Sequence, residues 1–398
     1  AMITLKAVFD HSRRLEDKVP AWKTYMLALG AEGNATDAIS FGIDTLKELG
    51  ETFPESPSQS IMMDWFKMTQ KMLGSVTIDE ILARAKMTDP AKLAVMDLLT
   101  TVGRRLTCIV CFCNQRLAIM HTLRQVQITL QSGVAKESAY AFACFGMHAR
   151  KYVGFKMACH YGKVALALVR QFDWKDTLPR VAAVVNATLA YHDMPSVRLN
   201  ALKDAIQVGF SAGDPDSSYT CANIYAGIAL STGQMQLGKL APIIRNDLKQ
   251  MRAHRHVPDI AICMVQHQVV KNLTSLQDRH APPDIRSDPP ANDARFNTPL
   301  VTYQVAVYRL WLAYFFRRYD VALAAISQCN EAGRRLPMRT STEVVETLYT
   351  GLVAAYMAGR KRAPVLEGGG WEGLAASARA RIKKWAEVSG RNFSHQLH

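Results

Sequence analysis

The chain repeats a helical-hairpin pattern and carries no catalytic signature inside it. The clearest copy runs Leu312-Ala313-Tyr314-Phe315-Phe316-Arg317-Arg318-Tyr319-Asp320-Val321-Ala322-Leu323-Ala324-Ala325 and closes at Pro337. A small residue sits between large ones, aromatics follow, then alanines, then a proline that cannot extend a helix. Small residues let two antiparallel helices approach, and the large ones fill the groove between them. One such hairpin cannot bury its apolar face alone, so the pattern demands stacked neighbours.

The rest of the chain is helical in the same way. Trp22, Tyr25, Met26 and Leu29 recur at helical spacing, and Gly30 to Asn34 is a turn. Thr36-Asp37 is placed to cap the next helix, with Ala38, Ile39, Ile43, Leu46 and Leu49 facing inward; Gly50 and Pro54 end it. A helix follows from Ser58 to about Gly74, and Thr77-Ile78-Asp79-Glu80 starts a short one. Asp89-Pro90 opens a longer one, with proline in the first turn. Residues 106 to 131 and 137 to 171 continue, Gly146 being the small position of a second hairpin whose partner arm spans Met157 to Phe172. Residues 178 to 194 stop at Pro195. Segments 197 to 210 and 217 to 231 repeat the up-and-down pattern, with Gly227 as a third small position; Leu237 to Met251 and 257 to 275 follow.

Asp278 to Pro299 differs, with Pro282-Pro283, Pro289-Pro290 and few apolar residues, and is expected to be a long surface loop. Helices resume at Thr302, cover 303 to 337 and Thr342 to Met357, turn at Gly368-Gly369-Gly370, and finish from Trp371 to about Ser389. Strand-type alternation persists nowhere. The small positions Gly30, Gly146, Gly227 and Ala313 are unevenly spaced. The expected fold is therefore all-α, an irregular tetratricopeptide-like helical-repeat superhelix. Its expected divisions are an N-terminal array over 1–277, the loop over 278–299, and a C-terminal segment over 300–398 that continues in a larger parent.

Hydrophobic residues are 49% of the 398 and charged residues 21%, which excludes global disorder. Apolar runs such as Val164 to Val169 are bounded by Lys163 and Arg170, so no membrane span is expected. Ala1 ahead of Met2 has the look of a cloning addition, and Lys6, Asp10, Arg13 and Arg14 break any signal-peptide core. Cys108, Cys144, Cys263 and Cys329 lie in apolar helical settings, as buried reduced thiols of an intracellular, cytoplasmic protein do. The net charge of +14 points to an anionic partner. Its residues are scattered, without interleaved aromatics, so RNA binding ranks below an acidic peptide.

Four segments resemble the helical region of large multidomain signalling kinases that carry an AAA-type (STAND) ATPase. They are Met87 to Met96, Ser138-Ala139-Tyr140-Ala141-Phe142-Ala143 leading to Gly146, Asn297 to Phe316 before Tyr319-Asp320, and Trp385-Ala386-Glu387 through Arg391-Asn392-Phe393-Ser394-His395. The resemblance covers residue 20 to the end. It implies a fragment whose parent uses ATP and Mg, while this chain holds no cofactor and catalyses nothing. Cys111, Cys113, Gln115-Arg116 and the proline-rich loop depart from the family pattern.

The remaining constellations read blandly. Cys108, Cys111 and Cys113 lack a second pair for zinc, and on a helix Cys113 points away, so core thiols are expected. Gly368 to Gly370 lacks the Lys-Ser/Thr ending of a phosphate loop. His192-Asp193 and Asp214-Pro215-Asp216 are turn and cap residues. Arg252, His254, Arg255 and His256 suit a helix C-terminus. With Arg317 and Arg318 they are also the candidate contacts for a protein or peptide partner, or for adjacent ATPase and kinase domains. The functional expectation is a non-catalytic interaction and regulatory module of such a parent. The alternative is a free-standing adaptor with a basic groove for acidic peptides.

Overall fold

The computed structural model describes the chain except residues 1–4, 6–7, 10, 13, 32–33, 75, 104–114, 190–192, 255–256, 275–297, 337–341, 361–369 and 398. The described residues are helical, with no strand and a single isolated bridge between Lys86 and Val134. The all-α helical-repeat expectation holds. No described helix is long and apolar enough to cross a membrane. Contacts divide the chain into two compact units, Ala1–Val181 and Ala182–His398. The 278–299 segment, expected to separate a pair of arrays, falls within the second unit, and residues 278–297 lie outside the described residues.

In the first unit, helices α1 (Leu15–Ala31) and α2 (Ala35–Glu48) form the expected first hairpin. Asn34 rather than Thr36-Asp37 sits at the start of α2, and it makes no side-chain cap; Asp37 falls in the first turn, where its charge suits the helix dipole. Gly50 leaves the helix at φ 84°. The next starts match their cap signals. Ser58 accepts from the Ile61 amide ahead of α3 (Gln59–Leu73), and Thr77 and Glu80 form a reciprocal capping box on α4 (Ile78–Leu82). Asp89 accepts from the Ala91 and Lys92 amides with Pro90 at the start of α5 (Pro90–Thr101).

Helix α6 (Gln115–Ser132) is the spine of this unit. Three of its buried polar residues each meet a different neighbour: Gln125 donates to Thr100 of α5 at 2.7 Å and Gln127 to Thr69 of α3 at 2.8 Å. Thr129 meets Ser138 of α7 (Lys136–Gln171) at 2.7 Å. Arg124 grips buried Glu51 through two hydrogen bonds, 2.6 and 2.8 Å. A buried polar group with a partner costs little and fixes register, whereas an orphan costs roughly 1–3 kcal/mol.

Helix α7 breaks at Gly154, which has φ 80°. In a continuous helix Phe145 and Tyr161 would lie about 24 Å apart. Their ring centroids are 4.8 Å apart, so the two arms fold back on each other around that glycine. This is the second hairpin, with Gly146 buried on its first arm.

The division between the units falls within α8 (Leu178–Val184), which passes into a π turn over Val185–Leu189. Eight helices of 17 to 19 residues then pair as four hairpins. They are α9 (Pro195–Ser211) with α10 (Pro215–Thr232), α11 (Leu237–Ala253) with α12 (Val257–Thr274), α13 (Pro299–Phe315) with α14 (Tyr319–Arg335), and α15 (Thr342–Gly359) with α16 (Gly370–Val388). A short α17 (Gly390–Phe393) follows, and the Asn392 amide donates to the Asp193 carbonyl at 3.0 Å, joining the end of this unit to its beginning.

Close approach is visible at the glycines. A Cβ on Gly351 would meet Ala378 at 2.9 Å, where α15 crosses α16. One on Gly227 would meet Gln266 Nε2 at 3.2 Å and the Tyr308 hydroxyl at 3.6 Å. Those two groups belong to a ladder through three hairpins. Asp259 of α12 accepts from Asn223 Nδ2 at 2.8 Å and Thr220 at 3.1 Å, both on α10. Gln266 of α12 donates to the Asn223 carbonyl at 2.9 Å and also engages Tyr308 of α13, whose hydroxyl pKa burial pushes up to about 12.

Cys144, Cys159, Cys221, Cys263 and Cys329 are buried thiols, and burial raises the Cys263 pKa to about 12. That bears out the reduced-thiol expectation for Cys144, Cys263 and Cys329; Cys108, Cys111 and Cys113 lie outside the described residues.

His121 gives the first unit a pH dependence. It is 1% exposed, edge-on to Phe53 at 4.4 Å, and neither ring nitrogen has a hydrogen-bond partner among the described residues. Burial therefore lowers its pKa to about 3. The unfolded chain takes up this proton near pH 6.5 while the folded chain does not. The contribution is complete above that pH and is lost as pH falls toward 3. Between pH 7 and pH 5 the loss is about 2 kcal/mol. It should appear as faster amide hydrogen exchange in α6 after correction for intrinsic rates; His121→Leu should remove this share of the slope, and His148, whose pKa burial lowers to about 4, keeps the rest.

Candidate functional site

The turn between α13 and α14 carries Arg317 and Arg318. Past the last residue of α13, the Arg317 amide donates to the Tyr314 carbonyl at 3.1 Å and the Arg318 amide to the Ala313 carbonyl at 2.8 Å. This is a Schellman ending, whose residue beyond the cap takes left-handed backbone and is usually glycine. Here it is Arg317, at φ 57°. A side chain in that conformation costs on the order of 1 kcal/mol relative to glycine. Arg318 folds onto its own helix start, donating to Asp320 at 3.3 and 3.2 Å, and that bond is the main reason the Asp320 carboxyl sits below its usual range. Arg317 is exposed and has no ion-pair partner among the described residues.

Around this turn the aromatics gather into one strip. Trp311 and Phe315 of α13 meet at 5.8 Å, and Phe315 meets Tyr349 of α15 at 6.0 Å. Tyr314 reaches Tyr349 at 5.4 Å and Tyr319 at 6.5 Å. Tyr319 of α14 stacks on Tyr356 of α15 at 3.9 Å and 9°, and the Arg360 guanidinium lies 5.2 Å over the other end of the strip. Burial raises the Tyr349 and Tyr319 pKa values, so both hydroxyls stay protonated donors at neutral pH. Within the strip Trp311 is 6% exposed but Phe315 is 56% exposed, a large apolar side chain facing water beside an arginine.

The other expected contacts behave differently. Arg252 and His254 end α11 and are exposed. His254 Nδ1 lies 2.6 Å from the hydroxyl of Tyr219, a buried residue of α10 that also packs edge-on against Phe210 at 5.3 Å. This histidine is tied to the neighbouring hairpin. Arg255 and His256 lie outside the described residues, as do Gly368, Gly369 and His192. Asp214 caps α10 through the Ser217 amide, as its sequence setting indicates. Among the described residues no group of three or more His, Cys, Asp or Glu is arranged to hold a metal ion.

Helical spacing marked Tyr303, Tyr308, Trp311, Tyr314 and Phe315 alike as helix aromatics. The structure separates them: Tyr303 and Tyr308 are fully buried, the former donating to Glu346 at 2.6 Å, while Phe315 is left outside. Tyr349, Tyr356 and Arg360 were not legible as partners of this turn, because α15 reaches it only by tertiary packing.

No protein-family model matches the chain, and no curated protein sequence matches it. Among solved structures the chain is similar to a Rap protein complexed with competence and sporulation factor. The likeness spans 96% of this chain and 97% of that one, at 13% identity and a TM-score of 0.46. The paired hairpins themselves define the all-α helical-repeat fold.

The left-handed Arg317 yields a direct expectation. Arg317→Gly should raise the stability of the second unit by roughly 0.5 kcal/mol, the strain removed less the added freedom of the unfolded chain. Chemical denaturation of the two proteins side by side checks this.

Proposed function

We propose that the chain is a non-catalytic protein-interaction module whose α13–α15 surface takes an acidic peptide segment of a partner. The observation that carries the reading is Arg317, held in a strained backbone conformation beside the exposed Phe315. A residue kept at such a position against its conformational cost is a functional candidate. Arginine and aromatic side chains together are the chemistry of interface hot spots, and a net charge of +14 attracts an acidic partner over distance.

In the fuller form of the proposal the module is regulatory and belongs to a multidomain ATPase/kinase signalling protein. Its occupant is then a partner or an adjacent domain, and ATP and Mg serve that parent's domains, with no cofactor in this chain. The family resemblance of the four quoted segments supports this form. A free-standing adaptor would use the same surface with the same chemistry, and the two differ only in what surrounds the chain.

The test uses a peptide of alternating Asp and Leu around one Trp, titrated into the full chain by calorimetry. Binding should weaken as salt rises. Phe315→Ser and Arg317→Gly should each weaken it roughly tenfold without loss of stability. Equal binding by both variants, or no binding to the parent chain, would remove this surface from the account.

A further inference from the structure

We infer that the first unit holds a second, separate ligand site, which takes a protonated amine carried on an apolar group. A groove of about 450 Å³ opens in this unit between α1, α5, the start of α7 and Trp174. Its apolar lining includes Val19, Met87, Leu93 and Trp174, and its acidic groups are Asp97 and Glu137. The volume falls within the range of small-molecule sites, and the lining has their usual composition, apolar walls with a few placed charges.

Two of the four charged groups that line the groove are held in ion pairs. Asp97 receives Lys23 on both oxygens, at 2.8 and 2.7 Å. Lys136 at the rim pairs with Asp176 at 3.5 Å. Lys86, also at the rim, lies 5.6 Å over the Phe172 ring. Glu137 is only 4% exposed and has no cation in ion-pair contact among the described residues. Burial raises its pKa, its own amide at the start of α7 offsets part of that, the Asp97 charge adds to the rise, and Lys136 and Arg180 act weakly against it. A buried carboxylate in a low-dielectric groove is costly without a counter-charge. An ammonium beside it removes that cost, and the apolar body of the ligand then packs on Trp174.

Trp174 is positioned for this. It stacks on Phe172 at 4.7 Å and 18°. The left-handed Asp173, at φ 54°, turns the chain so that the Trp174 amide reaches the Val169 carbonyl at 3.0 Å. The groove lies in a different unit from the arginine-aromatic strip and prefers the opposite charge, so the two assignments stand or fall separately.

The experiment titrates the full chain by calorimetry with 2-phenylethylammonium chloride and with the tripeptide Phe-Ala-Ala-amide, each compared with its N-acetylated form. At least one free amine should bind at a single site, and acetylation should abolish it. Glu137→Gln should weaken that binding roughly tenfold or more. Trp174→Leu, which leaves the carboxylate in place, should weaken it several-fold and keeps the test decisive if the first variant fails to fold. Binding of the small amine alone identifies a metabolite-type ligand; binding of the tripeptide identifies a peptide N-terminus. No binding of either amine up to about 10 mM, or equal binding by the acetylated forms or by both variants, overturns the assignment.

Discussion

The ladder from Thr220 and Asn223 through Asp259 and Gln266 to Tyr308 fixes how the hairpins of the second unit meet. Apolar faces alone let two helices slide past one another, because burial has no direction. A buried carboxylate does not permit that. Once Asp259 is inside, α10 must present Asn223 and Thr220 to it, and any slip leaves a charge unpaired at a cost of several kcal/mol, to order of magnitude. Gly227 follows from the same constraint, since a methyl group there would press on the Gln266 amide. With α10, α12 and α13 set in this way, α15 docks on α13 through Tyr303 and Glu346 and brings Tyr349 and Tyr356 to the Arg317 turn. The surface strip is thus a product of buried hydrogen bonds several turns away.

The first unit solves the same problem differently. It centres on one nearly enclosed helix, α6, whose polar residues are shared out among α3, α5 and α7. The exception is His121, enclosed without a partner among the described residues and therefore neutral. Arg124 and Glu51 show the paired alternative a few residues away. Arg317 on a strained turn and Glu137 beside a groove are the two groups on which the functional readings rest.

Local features were legible in the sequence where their causes are local. Ser58, Thr77 with Glu80, and Asp89 with Pro90 set helix starts by contacts within four residues, and the structure has them there. Thr36-Asp37 misled, because a capping side chain is only an option and the chain enters α2 two residues earlier. The second hairpin was readable from Gly146 and the apolar arm after Met157, but its hinge at Gly154 was not, since nothing local distinguishes a glycine in a helix from one that breaks it. Arg317 and Arg318 look equivalent as letters; only the Schellman geometry leaves one tied to Asp320 and the other projecting. Glu137, in the first turn of a helix, passes in sequence for a dipole-compensating acid, and only the tertiary structure shows it as a buried acid lining a groove with Val19, Leu93 and Trp174.

The most direct test of this account is native-state hydrogen exchange on Asn223→Leu, a change that keeps the volume and removes both donated bonds to Asp259. If the ladder sets the register of the stack, amides of α10, α12 and α13 lose protection together, by about 2 kcal/mol. Loss confined to α10, with α12 and α13 exchanging as before, would show that apolar packing alone positions the hairpins and that the ladder is incidental.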